Sequence, residues 1–209
     1  MSITEPILQV NNLCIEQGGQ RLWDGFSLSL TSGERLGISA PSGFGKTTLG
    51  RVLAQWQKAS QGTILFEGQP LPQQGYCPIQ LVPQHPEKSF NPYRKVGASL
   101  FDAWQPETHW LERFSIKPAW LERLPSELSG GELARIALLR ALDPRTKILI
   151  ADEITAQLDA NLQKEIWQLL VKLSEERPLA MVIFCHNKAL LEKVCSRIWT
   201  ANTLIPTVT

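Results

Sequence analysis

The stretch Ala40-Pro-Ser-Gly-Phe-Gly-Lys46-Thr47-Thr48 limits more narrowly than any other what this chain can fold into. Apolar Leu36–Ser39 leads into it, and Leu49, Val52, Leu53 and Trp56 follow it on one face of a helical period. The pattern is a strand, a glycine-containing turn and a helix. Such a turn lets backbone N–H groups come close to phosphate oxygens, and the helix start adds the positive end of its dipole. Ala40, Pro41, Ser42, Gly43, Phe44, Gly45, Lys46, Thr47 and Thr48 are therefore candidate binders of a nucleoside triphosphate. Lys46 would reach the β- and γ-phosphates, and the Thr47 hydroxyl would bind Mg²⁺. The usual pattern begins with Gly; here Ala40 stands in that place and Gly43 and Gly45 are the flexible points. A chance glycine-rich turn is the competing reading.

Two further segments carry chemistry. Ile148-Leu-Ile-Ala-Asp152-Glu153 is an apolar strand ending in two carboxylates. At the carboxyl edge of a sheet, Asp152 would hold Mg²⁺ and Glu153 would take a proton from the attacking water. Leu128-Ser129-Gly130-Gly131-Glu132 opens a helix and offers a second phosphate-facing surface. The same residues read equally well as a helix N-cap with its acid three positions on.

Around these segments the chain alternates strands and helices. Strand-like Ile7–Ile15 and Phe26, Leu28 and Leu30 at period two open it, and Thr63–Phe66 and Gln80–Val82 are further short strands. Residues 85 to 127 carry five prolines, no strand pattern and Trp104, Trp110 and Trp120, which suggests a helical subdomain with the tryptophans as its core. Helices are expected over Gly131–Leu142, Asp159–Arg177 and Lys188–Cys195, with buried strands at Lys147–Ala151 and Leu179–Cys185. This is an α/β fold with a mostly parallel sheet covered on both faces, plus an N-terminal antiparallel β-subdomain. The 209 residues make one domain: 1–84 and 139–209 form the core with its β-subdomain, and 85–138 the helical subdomain.

A net charge of +1 gives no global field for nucleic acid, and none is expected as a partner. No apolar run has membrane-spanning length and the N-terminus has no signal pattern, so the expected place is the cytosol unless a partner holds the chain at a membrane. Cys14, Cys77, Cys185 and Cys195 form no Cys-x-x-Cys pair and read as buried, reduced thiols.

Taken in this order, the three motifs resemble the ATP-binding-cassette family over nearly the whole chain. The resemblance implies a P-loop ATPase using ATP and Mg²⁺. It also implies that Gln84 contacts Mg²⁺ and water, that His186 contacts the γ-phosphate, and that Thr155-Ala-Gln-Leu-Asp159 crosses a dimer interface. Lys46, Glu153 and His186 are the expected catalytic residues, Thr47, Gln84 and Asp152 the metal ligands. Ser129, Gly130, Gly131 and Glu132 would face the nucleotide of a second cassette packed head to tail. The family often has an aromatic residue stacking on adenine where this chain has Gln17 beside Glu16. Ile154 and Ala156 replace a usual Pro and a common Ser.

Gln84-His-Pro-Glu-Lys-Ser-Phe-Asn91-Pro92, with Leu-Ser-Gly-Gly-Glu-Leu, resembles cassettes of oligopeptide, dipeptide and nickel importers. That branch implies a different cassette as heterodimeric partner, transmembrane permease subunits, and a peripheral place on the cytoplasmic side of the bacterial inner membrane. Members usually continue past the last strand, and this chain is expected to be limited to the cassette. The alternative is a non-transport ATPase in a soluble complex. The short interval between Lys46 and Leu128 lacks the long coiled coil of repair and chromosome members, and a non-hydrolysing subunit is disfavoured by Glu153 and His186.

Overall fold

The computed structural model describes residues 5–201. Two sheets organise it. Strands β1 (Leu8–Gln17), β2 (Gln20–Leu30), β4 (Gln61–Phe66) and β5 (Gln69–Pro70) form an antiparallel sheet in the order β2-β1-β4-β5. Strands β3 (Arg35–Ser39), β6 (Ile79–Val82), β7 (Ile148–Asp152), β8 (Ala180–Phe184) and β9 (Arg197–Thr200) form the second sheet, in the order β6-β7-β8-β3-β9 with parallel neighbours.

The apolar character of β7 and β8 follows from burial on both faces, since successive side chains in a strand point to opposite sides. Ile148 and Ile150 of β7, with Val182 and Phe184 of β8, pack toward the antiparallel sheet and α1 (Lys46–Leu53). Leu149 and Ala151, with Met181 and Ile183, pack toward α4 (Gly130–Ala141), α5 (Ala160–Glu176) and α6 (Lys188–Val194). Each strand is thus the shared floor of two cores.

Between β6 and α4 the chain forms α2 (Val96–Phe101), α3 (Thr108–Arg113) and 3-10 turns at Pro86–Ser89, Pro118–Glu122 and Pro125–Glu127. The expected tryptophan core is corrected here. Phe90, Val96, Leu100, Phe114, Ile116 and Leu121 are buried and continuous with Leu149 and Ile183. Trp104, Trp110 and Trp120 are only half-buried along the margin of that cluster. The polar edge of Trp104 is part of the reason, since its indole N–H donates to the Leu139 carbonyl at 3.0 Å.

Trp56 does not share the apolar face of α1 either and is 56% exposed. The helix ends at Leu53, Gln55 takes φ 60°, and the Trp56 N–H returns to the Arg51 carbonyl at 2.8 Å. This is a left-handed C-terminal cap built on a glutamine in place of the usual glycine. Strand β9 had no counterpart in the sequence reading. All four cysteines are free; Cys14 is buried, and the other three are half-buried. No helix among the described residues is long and apolar enough to cross a membrane.

Candidate active site

Four adjacent parallel strands deliver their C-terminal ends to one edge, where open α/β sheets bind ligands. From β3 comes the loop Ala40–Gly45, from β6 Gln84, from β7 Asp152 and Glu153, and from β8 His186. A cavity of about 370 Å³ sits there, lined by Gln17, Leu22, Ser42, Gly43, Gly45, Lys46, Thr47, Thr48, Gln84 and Glu153.

The loop turns on positive-φ glycines, Gly43 at 80° and Gly45 at 88°, the latter capping α1. Lys46 is buried, and its ammonium donates to the carbonyls of Ala40 at 2.7 Å and Pro41 at 3.0 Å. It also pairs with Glu153 Oε1 at 3.7 Å. Ala40 and Pro41 thus act through their carbonyls, while the Phe44 ring turns away from the cavity onto Trp23.

Glu153 is the hub. Gln84 Nε2 donates to its Oε2 at 3.1 Å, and His186 Nδ1 lies 3.0 Å from its Oε1. Its backbone takes φ 50°, uncommon for a residue with a side chain, while its N–H is held by the Phe184 carbonyl at 3.0 Å. A left-handed residue directly after a strand turns the carboxylate back over the sheet edge, and the surrounding bonds hold that conformation.

The Thr47 hydroxyl donates to Asp152 Oδ2 at 2.6 Å. Burial pushes the Asp152 carboxyl up from its ordinary value, opposed by the Thr47 hydrogen bond and reinforced by the charge of Glu153. A buried carboxylate destabilised in this way has the character of a cation site. With the Thr47 hydroxyl and the Gln84 amide it offers an all-oxygen donor set, and one carboxylate plus substrate phosphates is the form in which Mg²⁺ is commonly held.

Ser129–Gly131 do not join this group. They line a separate cavity of about 270 Å³ with Gln84, Gln157, Leu158, Asp159 and others. Ser129 caps α4, accepting from the Glu132 N–H at 3.3 Å, and its own N–H donates to Glu132 Oε2 at 2.7 Å. Those hydrogen bonds hold Glu132 in its ionised form, so its carboxyl titrates below the ordinary range. Glu132 is committed to the cap and faces no phosphate of its own chain. Gly131 has a packing reason, since a Cβ there would lie 2.5 Å from Leu162 Cδ2.

Two residues that the sequence reading left unused also reach the site. The Trp23 indole donates to the Gly45 carbonyl, and the buried Trp167 indole donates to Thr155 Oγ1 at 3.0 Å, two residues after Glu153. Gln163 adds donations to the Thr155 and Leu158 carbonyls. No local sequence signal marks either role; a buried indole N–H must find an acceptor, and the fold supplies these two.

A strand-edge phosphate loop with a buried lysine, and a strand-end Asp-Glu pair beside it, define a P-loop nucleotide hydrolase. The family model described as "ABC transporter" matches residues 23–156. The nickel import ATP-binding protein NikE of Pseudomonas putida is 32% identical, with 91% of this chain and 77% of that protein covered. The oligopeptide transport ATP-binding protein AppF of Bacillus subtilis is 31% identical, over 87% of this chain and 61% of its own. The glutathione import ATP-binding protein GsiA of Pectobacterium atrosepticum is 32% identical, over 93% of this chain and 36% of its own, so the chain spans about a third of that relative. Among solved structures, CbiO1 of Clostridium perfringens superposes with TM-score 0.77 at 26% identity, covering 94% of this chain and 84% of that one. An ATP-binding cassette solved as a dimer with ADP and Pi has TM-score 0.79 at 22% identity, over 92% and 93% of the two chains, and shares the fold. The chain belongs to the ABC transporter family and is an ABC-type ATPase.

Proposed function

We propose that this chain is the ATP-hydrolysing motor subunit of an importer, coupling hydrolysis to uptake of a small solute such as a metal ion, a metal chelate or a short peptide. The observation that carries the catalytic part is the convergence of Lys46, Gln84 and His186 on the Glu153 carboxylate. The importer part rests on relatives whose names are those of nickel, oligopeptide and glutathione import proteins.

In this reading the triphosphate lies on the backbone N–H groups of Ser42–Thr48, and its β- and γ-oxygens draw Lys46 away from Glu153. Glu153 accepts the proton of the attacking water, with Gln84 and His186 fixing the carboxylate. Thr47, Asp152 and Gln84 would hold Mg²⁺, which neutralises phosphate charge when bound. Because Ser129–Gly131 line a different cavity, a second cassette packed head to tail supplies the opposite phosphate wall, and in this branch that cassette is a different chain.

Membrane subunits would dock where a cleft of about 510 Å³ backs onto Thr47 and Asp152, lined by Arg51, Trp56, Gln84, His85, Lys88 and Arg140. Its basic groups and the exposed indole of Trp56 suit an acidic, apolar-tipped segment. The chain would then sit peripherally on the cytoplasmic face of the membrane, with residues 85–138 as the docking subdomain.

Steady-state ATPase assays of the assembled complex test the chemistry. Glu153→Gln should still bind MgATP and hydrolyse it about 10²–10⁴-fold more slowly. Activity within twofold of wild type removes Glu153 as the base. Co-purification from native membranes tests the importer, and a soluble complex without permease subunits sinks it.

A further inference from the structure

We infer that Trp23 is a positioning residue of the phosphate loop: its indole N–H, donated to the Gly45 carbonyl, fixes the peptide that aims the Lys46 backbone N–H at bound phosphate. The inference rests on the reading of Ala40–Thr48 as the triphosphate cradle.

Trp23 lies in β2, on the antiparallel sheet, and is 4% exposed. Its Nε1 is 3.0 Å from Gly45 O, and its ring meets Phe44 edge-to-face at 5.3 Å. Two consecutive loop residues are thus held by one side chain from the other sheet. Gly45 O also accepts the first hydrogen bond of α1, from the Leu49 N–H at 2.9 Å. A carbonyl oxygen has two lone pairs, and here each has a donor.

The peptide between Gly45 and Lys46 is planar and trans, so its C=O and N–H point in opposite directions. The Leu49 bond pulls the carbonyl along the helix axis and leaves the plane free to swing about that line. The indole, approaching from another direction, removes that freedom. The Lys46 N–H is in the first helical turn, where amides have no intrahelical acceptor and serve a ligand. Its direction is therefore set from behind, through the carbonyl it is bonded to.

The local sequence is shaped for this approach. Gly45 has φ +88°, and a Cβ there would lie 2.8 Å from Trp23 Nε1 and 3.2 Å from Leu22 Cβ. Any residue but glycine would push the indole off the carbonyl. Leu22, the neighbour of Trp23 on β2, faces the nucleotide cavity, so successive residues of one strand line the site and brace its loop. A purely packing role would leave the indole N–H to its own sheet, whereas here it is spent on the loop.

The test uses the purified chain and three variants. Trp23→Phe keeps an aromatic ring in the core and deletes the N–H. Phe26→Leu loosens the same cluster, since Phe26 meets Trp23 at 4.8 Å, without touching the loop in any hydrogen bond. Trp23→His is smaller but keeps a ring N–H. Calorimetric titration with MgATP should give a dissociation constant about three- to tenfold weaker for Trp23→Phe, the scale of one neutral hydrogen bond. In the assembled complex, KM in the ATPase assay should rise by a similar factor with kcat within about twofold. Phe26→Leu should melt at lower temperature and bind MgATP within about twofold of wild type. Trp23→His should bind more tightly than Trp23→Phe, and the reverse order overturns the hydrogen-bond account. So does equal affinity of Trp23→Phe and wild type, or an affinity loss in Phe26→Leu that tracks its lost stability. If the wild type binds no MgATP, the triphosphate reading itself fails, a result distinct from the loss of Trp23's role alone.

Discussion

Replacing Gln17 with tyrosine should change nucleotide affinity by an amount that can be worked out from its surroundings. Gln17 ends β1 at the wall of the phosphate cavity, and its Oε1 accepts from the Thr48 hydroxyl at 3.1 Å. Its amide offers hydrogen bonds but no ring on which a base can stack. Stacking of a base on an aromatic side chain contributes about 1–3 kcal/mol. Gln17→Tyr also strips Thr48, which is 8% exposed, of its acceptor, but that loss weakens the free and the nucleotide-bound variant alike and leaves the binding free energy unchanged. The gain is therefore about 1–3 kcal/mol, so MgATP and MgGTP should each bind about 5- to 150-fold more tightly to the variant. In the wild type the groups facing the triphosphate treat ATP and GTP alike, and their dissociation constants should agree within about threefold. Equilibrium calorimetry of both proteins with both nucleotides decides it. A wild-type preference for ATP above about tenfold, with no gain from the tyrosine, would refute the reasoning by showing that another group already holds the adenine.

Two further outcomes follow from buried hydrogen bonds. Trp167→Phe leaves Thr155 Oγ1 without its indole donor, which should lower unfolding free energy by about 1–2 kcal/mol in denaturant titration and loosen the loop after Glu153, read as faster amide exchange at 154–158. Burial raises the Tyr76 phenol to about 12, and because Thr146 Oγ1 already donates to the Ala141 carbonyl, the phenol is the donor to Thr146. The folded chain then keeps a proton that the unfolded chain releases above its ordinary value of 10.0, so stability falls as pH rises from there toward 12. Solvent on the open side of the ring limits this contribution to about 1 kcal/mol, and Tyr76→Phe should show a correspondingly flatter alkaline limb in melting-temperature profiles.

What the sequence made legible was what local pattern controls. A run such as Ile148–Ala151, followed at once by Asp152 and Glu153, reads as a short buried strand ending in acids once the phosphate loop stands beside it, and that loop announces its own turn and helix. Four such strand ends become one site as soon as the sheet is parallel, so Lys46, Asp152 and Glu153 were readable from their own motifs, whereas Gln84 and His186, single polar residues after strands, were marked only by the family resemblance. Trp56 was misplaced because the cap that stops α1 uses Gln55, a residue with no breaker signature, at positive φ. The edge strand Arg197–Thr200 is too short and too mixed to carry a period. The roles of Trp23 and Trp167 depend on acceptors 22 and 12 residues away, and no window of local sequence contains such pairings.

The placement of Gln84 suits the proposed coupling of hydrolysis to docking. It lines the phosphate cavity, the basic cleft that holds Trp56, and the cavity at Ser129–Gly131. Its amide grips Glu153, while its neighbour His85 lies 3.4 Å from Gln157 on the loop that follows Glu153. A segment seated in the basic cleft would press on residues 83–89, and a shift of Gln84 there must alter the hold on the carboxylate. The same shift would disturb the wall that we assign to a second cassette. A residue at the end of a short strand, followed by Pro86 and a 3-10 turn, is suited to this because its backbone is not locked into a long helix or a central strand. Hydrolysis, docking and cassette closure would then be coupled through one amide side chain, with no need for the rigid core strands β7 and β8 to move.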